Sequence, residues 1–297
     1  MKIFSKNSRV CFVGDSITHN NGYLMHIVSY YKNNFPDLNI NFYNCGVSGS
    51  NLSVQLKIAE KDTLSFAPTH VVILMGINDC ERESLLEKRS EKRYEMLKQA
   101  FENYKSNLEK LCGLFKKRNI DITLCTCIPY DEYGEYCTSP LHGGLALIMA
   151  YNEYIREYAR QQGYSLCDLF PYILEQMQKE RIYSDDSVHV TDKGQFYIAR
   201  CYLKNQGLDL CEETVFSEKL LEWNGKVQIL RNIYAVESLV IKKYNLPYSD
   251  ALLMVKNFME SDECNDWFNG ICRCYLENKQ QEKQIKAHMT DIMEKEL

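Results

Sequence analysis

Val10-Cys11-Phe12-Val13-Gly14-Asp15-Ser16-Ile17-Thr18 decides how the rest of the chain is read. Four apolar residues in a row suit a strand covered on both faces, as in a parallel sheet. Gly14 ends the run in a sharp turn and leaves Ser16 at the strand's carboxyl end, where open α/β sheets bind their ligands. Ser16 is therefore a candidate nucleophile, and by the same position a candidate N-cap for the helix that follows.

Outward from this stretch, strand patterns alternate with helical ones as far as residue 205. Tyr23, Leu24, Ile27, Val28 and Tyr31 recur at helical spacing, with Pro36 just beyond. Ile40–Asn44 reads as a second strand, running into the small-residue turn Cys45-Gly46-Val47-Ser48-Gly49-Ser50, and a helix is expected from about Leu52 to Thr63. Thr69–Met75 reads as a third strand that ends in Gly76-Ile77-Asn78-Asp79. A long amphipathic helix, about Glu91–Arg118, precedes a fourth strand at Ile122–Cys127. Further helices are expected at about Gly144–Gln162, Pro171–Lys179 and from the cap Thr191 to Asn205, with a short strand at Tyr164–Leu169. Five strands with helices between them imply an α/β fold, a three-layer α/β/α sandwich on a parallel sheet. The flavodoxin-like order 2-1-3-4-5 is expected from right-handed crossovers.

After Gly207 the strand signal ends. Residues 213–224, 226–244, 248–260 and 264–296 read as helices, which predicts a domain at 1–207 and an all-helical C-terminal extension at 208–297. Charge shifts at the same place: residues 1–207 carry 24 acidic and 24 basic side chains, and the later residues supply the whole net charge of −5. That balance makes no case for nucleic acid or an anionic membrane as partner. The first nine residues lack the apolar core of a secretory signal, and no apolar run approaches the ~20 residues of a membrane span. Thirteen cysteines, several of them inside strand patterns, read as small buried hydrophobes in a reducing cytoplasmic compartment. Cys272-x-Cys274 lacks a second pair at zinc-finger spacing, so no structural metal is expected.

The chemistry gathers at the strand ends. The first three turns offer Ser16, then Gly46 and Gly49 with backbone N–H groups, then the Asn78 amide. A nucleophilic oxygen beside such donors is the parts list for acyl transfer. Serine needs a base. Among six histidines, His26 on an apolar helix face and His70 at a strand start read as structural. His189 differs, because Asp186 lies three residues before it, where one helical turn brings a carboxylate to the imidazole. Asp185 remains an alternative partner with poorer geometry.

Gly14-Asp15-Ser16-Ile17, Val47-Ser48-Gly49, Gly76-Ile77-Asn78-Asp79 and Asp186-x-x-His189 together resemble the four blocks of the SGNH (GDSL-type) hydrolase superfamily, in order and spacing, over residues 9 to about 205. The resemblance implies Ser16 as nucleophile and first oxyanion donor, with Gly49 and Asn78 as the second and third. It makes His189 the base and Asp186 its orienting partner, with no cofactor. Two departures are visible: Thr18 excludes the Gly-x-Ser-x-Gly elbow of α/β-hydrolases, and Val190 stands where many members carry proline.

The implied function is a serine esterase acting on an O-acyl ester, O-acetyl above all, of a carbohydrate or similar polar alcohol. Lysophospholipase and acyl-thioesterase are alternatives within the superfamily, and a non-catalytic ligand-binding or scaffold protein is the alternative of another class. The polar, tyrosine-rich loop from Pro129 to His142 has no aliphatic residue before Leu141, which favours a polar alcohol over a lipid. Tyr130 and Tyr133 in that loop, and His19 and Asn20 just past the nucleophile, are candidate substrate contacts. The C-terminal helices are expected to pack on the domain, cap the site or form an oligomer contact.

Overall fold

A computed structural model describes residues 1, 3–80, 85, 90–132, 134, 142–259 and 266–297. At its centre β1 (Arg9–Gly14), β2 (Asn41–Gly46), β3 (His70–Leu74), β4 (Asp121–Cys125) and β5 (Ser165–Cys167) form one sheet in the order β2-β1-β3-β4-β5. Every pairing is parallel. The strands are apolar throughout because helices cover both faces. Val10, Cys11, Phe12 and Val13 are at most 1% exposed, which fits a continuous run rather than an alternating one.

One helical layer holds α2 (Gly22–Asn34), α6 (Phe170–Met177) and α7 (Asp192–Asn205). The other holds α3 (Leu52–Ile58), α4 (Glu91–Lys116) and α5 (Gly144–Gln162). A single turn, α1 (Ser16–His19), follows β1. Local signals set the ends: Ser90 accepts from the Arg93 N–H at 3.1 Å to start α4, and Thr191 caps α7 through the Gly194 N–H as expected. α3 is shorter than expected. It stops at Ile58, and a 3-10 turn at Thr63–Phe66 completes the connection.

The extension consists of α8 (Glu218–Tyr244), α9 (Tyr248–Met259), α10 (Asp266–Gln280), α11 (Glu282–Asp291) and a terminal π-type turn, Ile292–Glu296. Two expectations are corrected. The helices expected at 213–224 and 226–244 are a single helix through Gly225. A mid-helix glycine costs only about 1 kcal/mol, which burial of Trp223, Val227, Leu230, Ile233 and Tyr234 outweighs. The helix expected over 264–296 is interrupted at Gln281, whose ψ of 0° leaves the helical region.

The extension packs tightly on the sheet domain. Arg231 of α8 reaches Asp62 with both guanidinium ends, at 2.6 and 2.7 Å, and neither side chain is exposed. Lys32 Nζ donates to the Met293 carbonyl at 2.6 Å, and Asn41 Nδ2 to Glu294 at 3.0 Å. Ala251 and Val255 are buried, whereas Leu239 and Leu253 lie on the exposed face. No helix among the described residues is long and apolar enough to cross a membrane.

Candidate active site

The sheet register brings the first three turns level. Gly14, the last residue of β1, pairs with Gly46 on one side and Leu74 on the other. Three strands therefore release their chains at one height, and the turns carrying Ser16, Gly49 and Asn78 open on the same edge. Gly46 is required there: a Cβ would sit 2.4 Å from the His19 backbone nitrogen, so a side chain would push α1 away. Gly49, at φ +74°, occupies the left-handed region that glycine adopts without strain.

His189 arrives from the turn before α7. Its Nε2 lies 2.8 Å from Ser16 Oγ, and its Nδ1 is hydrogen-bonded to Asp186 Oδ2. The other Asp186 oxygen accepts from the backbone N–H of Val188 at 3.0 Å and of His189 at 2.9 Å, and from the Ser184 hydroxyl at 2.8 Å. Burial by itself would raise this carboxyl, but the His189 ring and the other donors outweigh it and hold Asp186 well below the usual carboxylate range. The turn closes because Ser187 takes a left-handed φ of +58°. Asp185, the alternative partner, pairs with Arg181 instead. The arrangement is a serine hydroxyl, an imidazole within hydrogen-bonding reach of it and a carboxylate on the ring's other nitrogen, a geometry able to serve as nucleophile, base and orienting group.

The neighbouring turns carry donor groups. Among the described residues, the backbone N–H groups of Ser16 and Gly49 donate to no protein acceptor. The Asn78 amide donates to the Ser50 carbonyl at 3.0 Å, which ties the third turn to the second and keeps its other N–H in reserve. Buried Asp15 braces the first turn by accepting from Ile17 N–H at 3.0 Å, and burial lifts its carboxyl to about 6 despite that bond and the nearby His189.

Ser16 and His189 open into a cavity of about 280 Å³ that also meets His19, Asn20, Ser48 and Gln228. His19 is mostly buried and accepts the Ser48 N–H on Nδ1 at 3.2 Å, so it locks the second turn as well as lining the cavity. Burial, followed by the Arg231 guanidinium, pushes this ring down to about 4. Asn20 is exposed at the rim. Tyr130 is a correction: it is buried, with its ring against Gly144. The ring belongs to the core and does not line the cavity. Tyr133 lies outside the described residues. A larger cavity, about 980 Å³, opens at the opposite end of the strands around Thr69, Asp121 and Ser165, away from the serine.

Two residues of the site have no counterpart among the sequence expectations. Asn44, fully buried in β2, donates to the Thr18 carbonyl at 2.6 Å and to Asn21 at 2.8 Å, and accepts from Gly46 N–H at 2.7 Å. An asparagine in the interior of a buried strand was the available signal, since a buried amide needs partners. Gln228 comes from α8, and no local pattern marks it.

Residues 12–195 match the family described as GDSL-like lipase/acylhydrolase. No curated protein matches the chain. Among solved structures, one described as a gut microbial diltiazem-metabolizing enzyme superposes with a TM-score of 0.76 at 15% identity, covering 99% of this chain and 97% of that one. Axe2, an acetylxylan esterase from Geobacillus stearothermophilus, gives 0.58 at 23% identity over 72% of this chain and 100% of its own. LAE5, an alpha/beta hydrolase from the metagenome of Lake Arreo, Spain, gives 0.58 at 20% identity over 69% and 97%. At these identities the likeness is one of fold. It reaches into the helical extension in the first case, where nearly the whole chain is covered. With the family match over more than half its length, the chain belongs to the GDSL-like lipase/acylhydrolase family of the SGNH superfamily and is a serine ester hydrolase.

Proposed function

We propose that this esterase removes a small acyl group, acetyl by preference, from a carbohydrate or similar polar alcohol. Ser16 Oγ attacks the ester carbonyl carbon while its proton passes to His189 Nε2. The carbonyl oxygen takes the negative charge and rests among the N–H groups of Ser16 and Gly49 and the Asn78 amide. The bond to the leaving oxygen then breaks, and His189 returns the proton to the departing alcohol. Water, deprotonated by His189, attacks the acyl-serine, and collapse of the second tetrahedral intermediate gives the free acid and restores Ser16. Asp186 keeps Nδ1 protonated and stabilises the imidazolium formed in both halves.

The observation that carries this reading is the 2.8 Å contact between Ser16 and His189 at the mouth of a 280 Å³ cavity. That space suits an acetyl group and part of a polar alcohol better than a long acyl chain, and Asn20, Ser48 and Gln228 give it polar walls. The acetylxylan esterase among the similar structures supports the same substrate class. A cytoplasmic location is part of the proposal, supported by the free thiols of Cys125 and Cys167, register partners on neighbouring strands.

An acyl-length series of p-nitrophenyl esters, run beside acetylated sugars with Ser16→Ala as control, tests the reading. Acetyl preference and release of acetate from the sugars are expected. A preference for octanoyl or longer would favour a lysophospholipase or acyl-thioesterase, and failure to turn over any activated ester would favour a non-catalytic binding protein.

A further inference from the structure

The helical extension does more than cover the domain: α8 runs over the first two active-site turns. Asn224 accepts a hydrogen bond from Asn21 Nδ2 at 2.9 Å, and Lys242 Nζ lies 3.4 Å from the Gly49 carbonyl. Between them Gln228 forms part of the wall of the cavity that holds Ser16 and His189. We propose that Gln228 is a specificity-determining residue that accepts a hydrogen bond from a free hydroxyl of the ester's alcohol portion; the inference rests on the esterase reading above.

The amide's orientation follows from its neighbours. Its nitrogen lies 3.1 Å from the His19 carbonyl and 3.2 Å from the Asn20 carbonyl, and two acceptors can be met only by the –NH₂ end. That leaves Oε1 as an acceptor with no protein donor among the described residues. Of the other polar groups of the wall, His19 and Gln195 are committed, whereas the Ser48 hydroxyl makes no hydrogen bond among the described residues and can serve a substrate hydroxyl beside Gln228. His19 Nδ1 takes the Ser48 N–H, while Gln195 Oε1 takes the Tyr23 N–H at 2.9 Å and its Nε2 faces the Ile17 carbonyl at 3.4 Å. Asn20 Oδ1 accepts from Gly22 N–H at 3.2 Å, so its –NH₂ remains as a donor at the rim. An acceptor on Gln228 and a donor on Asn20 match an alcohol with more than one hydroxyl. They offer nothing to a plain alkyl alcohol, which would leave the acceptor unpaired.

Glycerol 1-acetate and ethyl acetate separate these cases, because both release acetate from a primary alcohol and only the first carries further hydroxyls. The wild-type ratio of kcat/KM for glycerol 1-acetate over ethyl acetate should exceed one. Gln228→Leu should lower that ratio by about threefold to tenfold, the worth of one neutral hydrogen bond, mainly through KM. An unchanged ratio, or an equal fall for both esters, would overturn the assignment and leave Gln228 a structural brace for α1. Wild-type protein that hydrolyses neither ester faster than Ser16→Ala would instead remove the esterase reading, and this inference with it. Fluorophosphonate labelling of Ser16 in Gln228→Leu reports whether the site is still assembled, so a collapsed variant is recognised as such.

Discussion

His189 Nε2 lies 2.8 Å from Ser16 Oγ although 173 positions separate the two residues in sequence. The contact depends on two independent placements. Gly14 ends β1 at the sheet edge and presents Ser16, while the Asp186–His189 turn, locked by three hydrogen bonds to one carboxylate oxygen, presents the imidazole. Each placement has local contacts of its own, so substitutions can separate positioning from chemistry.

Asp186→Asn should keep the fold and lose most of the activity. An amide at this position can donate to Nδ1 and so favour the wrong imidazole tautomer, a change that costs about 10⁴-fold in serine proteases. A fall in kcat of at least a hundredfold on p-nitrophenyl acetate, with an unchanged circular dichroism spectrum, is expected. Activity within a few-fold of wild type would show that Asp186 does not orient the base.

Asn78→Ala removes one of three donors proposed for the oxyanion. The loss should lower kcat by roughly 10²–10³-fold with little change in KM, since the charge exists only in the transition state. A rise in KM at constant kcat would mean that Asn78 binds the ground-state ester instead.

The Arg231–Asp62 pair joins the extension to the sheet domain in a place water does not reach. Arg231→Met leaves Asp62 buried and unpaired, and should destabilise the protein by about 3–5 kcal/mol. Arg231→Met with Asp62→Leu removes both charges and should recover much of that loss. Urea unfolding of the single and double variants measures it, and equal stabilities of the two would contradict the account.

His19 predicts a pH dependence of stability. An ordinary histidine takes up its proton near pH 6.5, whereas folded His19 does so only near 4. Between those values the unfolded chain holds the extra proton, so acidification removes stability by up to ~1.4 kcal/mol per pH unit. Asp15 acts in the opposite sense. Its ordinary carboxyl value is 3.8 and its folded value about 6, so the folded state binds the proton first and acidification through that window adds stability. His19→Gln deletes only the first contribution. The stability difference between wild type and His19→Gln should therefore narrow from pH 7 to pH 5 in urea melts, and a constant difference would contradict the burial assigned to this ring.

The sheet order and the meeting of His189 with Ser16 were legible because each rests on a local cue. Those cues are an apolar run closed by glycine, a small-residue turn, and an aspartate one helical turn before a histidine. Tertiary packing hid the rest. Gly225 suggests a break in the local pattern, yet buried neighbours on both sides carry α8 through it. Tyr130 sits in a polar loop, which says nothing about the core that its ring enters. Gln228 reaches the site only through carbonyls 209 and 208 positions away, and Arg231 finds Asp62 across 169. A single sequence carries no periodicity that could announce contacts of that kind.

Reaction with a fluorophosphonate probe, followed by mass mapping of the modified peptide, tests the central claim most directly. The account predicts one adduct, on Ser16, formed in step with the loss of p-nitrophenyl acetate hydrolysis and absent from Ser16→Ala. Labelling and turnover that persist in Ser16→Ala would place the nucleophile elsewhere and contradict it.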